Sequence, residues 1–207
     1  MEKNLKTHEA LMDAVIREEW RQFDLVQNEG GRASCQDNWE TFRIMRTAQF
    51  RSWPEPLLES YLDDLREAAE NGWNLLTEKY ARMMESTAPE EYEHLKNRLP
   101  YRSPERLARQ EKIIAMHVAW DEEFRAEYPR YARRGRRIRT SEDTPYATSS
   151  ETYFRGELTT YSDRTFALYE SWMEELKAAG KNIAAMTAED MVREYGYGSV
   201  AELEAGL

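Results

Sequence analysis

The sequence predicts an all-α protein, an irregular bundle of about five long helices with several short ones. Three observations carry this. Apolar residues recur at three- and four-residue spacing over long stretches. Ser, Thr, Asp, Pro and Gly fall where those stretches begin and end. No segment alternates apolar and polar residues as a strand would, and none repeats. With 207 residues the chain fits one helical domain over 1–207 and is long enough to bury a core.

The first helix is expected from about Thr7 to Gln27, with Met12, Ile16, Phe23 and Val26 on one face and Glu19 within that stripe. Gly30-Gly31 ends it, because glycine tolerates the left-handed turn that closes many helices. Ser34, with Asp37 three residues on, reads as a capping box that opens a second helix to about Trp53. Its stripe is Trp39, Phe42, Arg46, Gln49 and Trp53. Pro54 and Pro56 stop that helix and suit the first turn of a third, from about Glu55 to Glu85. Leu58, Leu62, Leu65, Ala69, Gly72, Leu76 and Met83 form its apolar face, with Lys79 inside it, and Gly72 reads as close packing rather than a break.

Thr87 and Glu90 predict a cap for a short helix ending near Leu99-Pro100, and Ser103-Pro104-Glu105 opens a fourth long helix to about Tyr128. Ile113, His117, Trp120, Phe124 and Tyr128 line its stripe. From 129 to 150 periodicity is lost in an Arg-rich irregular loop, a length that marks functional or mobile segments. Thr148 and Glu151 then cap a fifth long helix to about Ala179, and Gly180 stops it. Residues 181–207 read as two short helices, capped by Thr187 with Asp190 and by Ser199 with Glu202.

Composition narrows the function classes. Six Trp, 12 Tyr and 6 Phe are too many anchors for a disordered chain. The longest nearly uncharged apolar run, Ile113 to Trp120, is too short for a bilayer, and the N-terminus lacks the apolar segment of a secretory signal. A single cysteine rules out an internal disulfide and makes a reduced, cytoplasmic location the default expectation. A net charge of −10 argues against nucleic acid as a general partner. Charge is uneven, however: Arg130, Arg133, Arg134, Arg136, Arg137 and Arg139 form a run suited to a phosphate, a carboxylate or an acidic partner. A solvated loop is the plainer reading of the same run.

Four patterns could carry chemistry. Cys35 sits where a helix N-terminus would stabilise a thiolate, with His117 as the best available base. Against that stand Asp37 nearby and the habit of free cysteines to pack as small hydrophobes, and the structural role outweighs the catalytic one. A ferritin-like metal site would draw on Glu19, Glu78, His117 and Glu157. The chain offers one Glu-x-x-His motif, Glu91 to His94, where that architecture uses two. His117 in an aromatic setting would also suit haem, although a lone histidine on an apolar face is more often a satisfied core residue. The broadest pattern is polar groups on apolar stripes: Glu19, Arg46, Gln49, Lys79 and His117, with Arg155 and Glu157 beside a fifth. Buried charges need partners, so these groups are expected to meet inside the bundle, as a self-satisfied network or as a pocket walled by Trp and Tyr.

The stretches GGRASCQD, TFRIMRTAQF, NLLTEKYARMM and ETYFRGELTTYS resemble an uncharacterised bacterial family, a domain of unknown function of about this length. The resemblance covers nearly the whole chain and implies one shared architecture, with no activity and no catalytic residues to carry over. The leading expectation is an internal pocket binding, or also transforming, a small anionic molecule. Arg46, Gln49, Lys79 and Arg155 would hold it, and Glu19, His117, Glu157 or Cys35 would do chemistry. The alternatives are the carboxylate–histidine metal protein and a non-enzymatic adaptor using the arginine loop. The sequence specifies no cofactor, and further copies of the chain are compatible partners.

Overall fold

A computed structural model describes the backbone of residues 2–28 and 31–207 and the side chains of residues 7–28 and 31–207. Gly30, half of the expected Gly-Gly turn, lies outside the described residues, while Gly31 takes the left-handed conformation (φ 87°). The described chain holds eleven α-helices and no strand. They are α1 (Glu2–Asp24), α2 (Trp39–Phe50), α3 (Glu55–Glu70), α4 (Leu75–Thr87), α5 (Pro89–Leu95), α6 (Pro104–Glu127), α7 (Pro129–Ala132), α8 (Ser150–Thr160), α9 (Asp163–Ala178), α10 (Ile183–Glu194) and α11 (Val200–Gly206). No described helix is long and apolar enough to cross a membrane.

The core follows the predicted stripes. Val15, Ile16 and Phe23 of α1 pack with Leu58, Tyr61 and Leu65 of α3, and with Phe166, Trp172 and Met173 of α9. Trp53, at the end of α2, is the aromatic hub, with ring centroids 4.7–6.2 Å from Phe50, Tyr61, Tyr161, Tyr169 and Trp172. Such spacing is that of favourable aromatic pairs. Helix α8 packs against α4 and α6, and α10 against α2 and α6.

Most of the differences from sequence lie at helix ends. The long third helix is two, α3 and α4. Gly72 has φ 70° with open space where a Cβ would sit, so it terminates α3 rather than serving close packing. Trp73 N–H then bonds Ala68 O, and the Asn74 side chain caps α4 by accepting from Thr77 N–H. The fifth long helix divides likewise, because Tyr161 turns extended and Ser162 caps α9 through Thr165 N–H.

Ser34 does not cap α2. Residues Ser34–Asp37 form a 3₁₀ turn, and Asn38 caps α2 by accepting from Thr41 N–H. Asp37 pairs instead with Arg32 at 2.7 Å. Thr87 belongs to α4 and its hydroxyl donates to Met83 O, so α5 starts at Pro89 without a side-chain cap. Ser149, not Thr148, caps α8, and Asn182, not Thr187, caps α10. Ser103 and Ser199 cap α6 and α11 as expected.

Two glutamines join the N-terminal helices. Gln22, buried in α1, donates to Leu65 O and accepts from Leu75 N–H, bridging the α3–α4 joint. Gln36 donates to Phe23 O, which Val26 N–H also bonds, and to Val26 O, and it accepts from Ala33 N–H, tying the 3₁₀ turn to the end of α1. The 129–150 segment is irregular but tied down. Asp143 accepts from Ser86 Oγ (2.6 Å), Thr152 Oγ1 (2.5 Å) and Ser149 N–H (2.6 Å). Those bonds fasten the loop to the end of α4 and the start of α8.

Candidate functional site

Helices α2, α4 and α8 each turn a buried polar side chain toward the same point. Arg46 lies among Ile44, Thr47 and Phe50 on the buried face of α2, Lys79 beside Leu76 and Met83 on that of α4, and Glu157 beside Leu158 on that of α8. Gly156 makes this convergence possible. A Cβ there would stand 2.9 Å from Met83 Cγ and 3.0 Å from Lys79 O, so only glycine lets α8 approach α4 so closely.

Glu157 is the centre of the cluster. Its Oε2 accepts from Lys79 Nζ at 2.5 Å and from Arg46 at 3.4 Å, and its Oε1 accepts from Gln49 Nε2 at 2.6 Å and Tyr161 Oη at 3.2 Å. Arg46 also donates to Gln49 Oε1 and pairs through Nε with Glu19 Oε2 at 2.9 Å, while Tyr61 Oη donates to Glu19 Oε1 at 2.7 Å. Glu19 and Lys79 are 0% and 2% exposed. The four charged members comprise two carboxylates and two cations, so the set carries no net charge. Burial would push both carboxylates up. For Glu157 the adjacent Lys79 and Arg46 prevail and hold it far below the usual carboxylate range, whereas Glu19 stays raised despite Arg46.

Beside this cluster opens a cavity of about 490 Å³ between α2, α6, α8 and α10. Phe42, Tyr80, Tyr153, Phe154 and Tyr169 give it aromatic walls, and Ala184, Thr187, Ala188 and Met191 of α10 close the opposite side. Arg46, Gln49, His117 and Glu157 form its polar part. The His117 ring stacks on Phe154 with centroids 4.0 Å apart, and its Nε2 lies 2.5 Å from Tyr169 Oη. Burial depresses His117 to about 3, Glu157 pulling weakly the other way, so the imidazole is neutral near pH 7.

At the mouth, Arg125 is paired with Asp121 at 2.7 Å. Arg136, also part of the lining, is exposed and has no carboxylate partner among the described residues. Its guanidinium carbon lies 5.0 Å from the Tyr153 ring centroid, and its NH1 donates to Thr148 O at 3.3 Å.

Of the sequence-predicted residues, Arg46, Gln49, His117, Glu157 and Cys35 therefore line one cavity, with Glu19 and Lys79 in the layer behind it. Arg155 is not among them. It pairs with Glu111 at 2.8 Å and Glu151 at 3.0 Å, beside a different depression near Thr140 and Gln110. Cys35 is exposed rather than packed as a small hydrophobe, and it lies in the 3₁₀ turn rather than at an α-helix N-terminus.

The metal candidates are not assembled as ligands. Glu78 pairs with Arg82 and accepts from Trp73 Nε1, Glu19 and Glu157 are held apart by Arg46, and His94 sits on α5, none of whose residues is buried. No three His, Cys, Asp or Glu residues are grouped for metal binding among the described residues. Sequence reasoning expected walls of Trp and Tyr but did not single out Tyr61, Tyr153 or Tyr169. Tyr61, Tyr161, Tyr169 and Tyr153 surround the charged cluster, and the signal was available as aromatics spaced along the helices that carry Glu157 and Tyr169.

Fold and site together define a helical bundle with an aromatic-walled cavity set against a neutral buried charge network. The chain belongs to the family described as "Protein of unknown function (DUF4125)", whose model matches residues 9–205. Neither a curated protein nor a solved structure matches it significantly.

Proposed function

We propose that the protein binds a small molecule with an aromatic body and one anionic group in the cavity between α2, α6, α8 and α10. The observation that carries this reading is the separation of charge along the lining. Inside, Arg46 and Lys79 are matched by Glu19 and Glu157, so an anion inserted there would leave a carboxylate uncompensated. At the mouth the Arg136 guanidinium, beside the Tyr153 ring, has no carboxylate partner among the described residues. The apolar body would lie against Phe42, Phe154 and Tyr169, its polar edge toward Gln49 and His117, and its anionic group on Arg136. The volume falls within the range of about 300–1,000 Å³ typical of ligand sites. The expected anion-holding role thus moves from Arg46 and Lys79 to the arginine loop.

The test is fluorescence titration with the aromatic sulfonate anilinonaphthalene sulfonate, on protein whose circular dichroism and cooperative unfolding show it to be native. Saturable one-to-one binding is expected. Thr187→Trp, which fills the cavity, should abolish it, and Arg136→Ala should weaken it several-fold. Binding indifferent to both substitutions would overturn the reading.

A further inference from the structure

We propose that His117, held by Tyr169, presents a fixed Nδ1–H donor to the cavity and selects a ligand with a carbonyl oxygen at its inner end, an aromatic acid whose ring carries a carbonyl group remote from the anion. The inference rests on the ligand-binding reading above.

His117 is placed as a lining group and not as a closed core contact. It comes from α6, is 3% exposed and borders the cavity, with its ring stacked on Phe154 at 4.0 Å. Nε2 meets Tyr169 Oη at 2.5 Å. Nδ1 meets no donor or acceptor among the described residues, yet it is not one of the polar atoms sealed in the core without a partner. An atom neither bonded nor sealed, on a ring so deeply set, opens onto the cavity that the ring borders.

Tyr169 decides which nitrogen carries the hydrogen. Its hydroxyl, on a buried ring of α9, has His117 Nε2 as its one hydrogen-bond partner among the described residues. A buried phenol needs an acceptor for its hydrogen, and Nε2 is the acceptor within reach. Nε2 therefore offers its lone pair, and in a neutral ring the hydrogen lies on Nδ1. Burial keeps the ring neutral near pH 7, against a weak pull from Glu157.

A fixed, neutral N–H requires a neutral acceptor. An anionic oxygen there would share the lining with Glu157, whose charge is already matched by Lys79 and Arg46. A hydroxyl would bring a hydrogen of its own, and the acceptors of the polar lining are engaged. Gln49 accepts from Arg46 and donates to Glu157, which also accepts from Lys79 and Tyr161. A carbonyl oxygen accepts and adds no donor to be satisfied. With Arg136 at the mouth, the carbonyl and the anionic group lie at opposite ends of the aromatic body.

The experiment compares, by NMR titration, 4-acetylbenzoate with 4-isopropylbenzoate, and the 4′-acetyl with the 4′-isopropyl biphenyl-4-carboxylate. Within each pair the outline matches and only the oxygen differs. Wild-type protein should bind the acetyl member of at least one pair about tenfold more tightly, because the isopropyl group leaves the N–H unpaired. His117→Phe should bring that pair within about twofold. Long-range ¹H–¹⁵N spectra of histidine-labelled protein report the hydrogen directly, with His117 assigned by elimination through His8→Gln and His94→Gln. They should show a neutral ring bearing its hydrogen on Nδ1, and in Tyr169→Phe a hydrogen shared between both nitrogens. A hydrogen on Nε2 in the wild type, equal binding within both pairs, or a preference that survives His117→Phe would overturn this inference alone. So would binding of the sulfonate dye without binding of any of the four acids. If neither dye nor acids bind, the ligand-binding reading fails as well.

Discussion

Lys79 Nζ and Glu157 Oε2 meet at 2.5 Å, with both side chains almost fully buried, on helices that only Gly156 allows so close. Breaking such a pair from one side leaves an uncompensated charge and costs about 3–5 kcal/mol. Lys79→Met and Glu157→Gln should each destabilise by that order in urea unfolding. The double variant restores the balance of Arg46 with Glu19 and should cost clearly less than the sum. Strict additivity would count against a coupled network.

His117 makes stability depend on pH. The unfolded imidazole takes up a proton near 6.5, but the folded one does so only near 3, so native stability declines as pH falls through this window. From pH 7 to pH 5, above the ordinary carboxylate range, His117 should account for about 2 kcal/mol of lost stability. His117→Gln, with its own hydrogen-bonding amide, should flatten that limb. Equal acid sensitivity in the two proteins, read from urea midpoints, would refute the assignment.

Gly156→Ala should destabilise by about 1–3 kcal/mol, because the new Cβ meets the backbone carbonyl of Lys79 at 3.0 Å as well as Met83. Gly135→Ala is the control. Its Cβ would lie 3.4 Å from Ala132 O, an ordinary contact, and thermal unfolding should barely change. Similar losses at both sites would mean that the α4–α8 approach is not tightly packed.

Helix ends give a test that separates the structure from the sequence pattern. Asn74→Ala removes a cap and should cost about 1 kcal/mol, and Gln36→Ala takes the side-chain donor from Val26 O and should cost about 1–3 kcal/mol. Ser34→Ala should be close to neutral in thermal unfolding, because that serine caps nothing.

The apolar stripes were legible because burial imposes a helical period on the sequence, and they located Arg46, Lys79, His117 and Glu157 as groups needing partners. Their meeting was expected on that ground, but which groups would pair could not be read, since the distance between α2 and α8 depends on packing across the whole bundle. The divisions at Gly72 and Tyr161 were hidden for a different reason. The apolar pattern runs through both, and only backbone conformation with the Asn74 and Ser162 caps interrupts it. Arg155 was misplaced because it stands on the rim of its stripe, where Glu111 and Glu151 claim it from outside. The role of the mouth was unreadable, because what sets Arg136 apart from its neighbours in the run is its place in the cavity lining, and pairing accounts for only two of them. Arg139 is bound to Glu122 and Arg137 to Glu142.

The inner charges are shielded from solvent while Arg136 stands in it, and dissolved salt therefore reaches one end of the cavity and not the other. At ionic strengths where the screening length falls to about 10 Å or less, attraction to the mouth weakens. The interior, already neutral, has nothing to screen. Raising salt should thus slow arrival of a charged guest more than it hastens departure, leaving residence time governed mainly by the contacts inside the cavity.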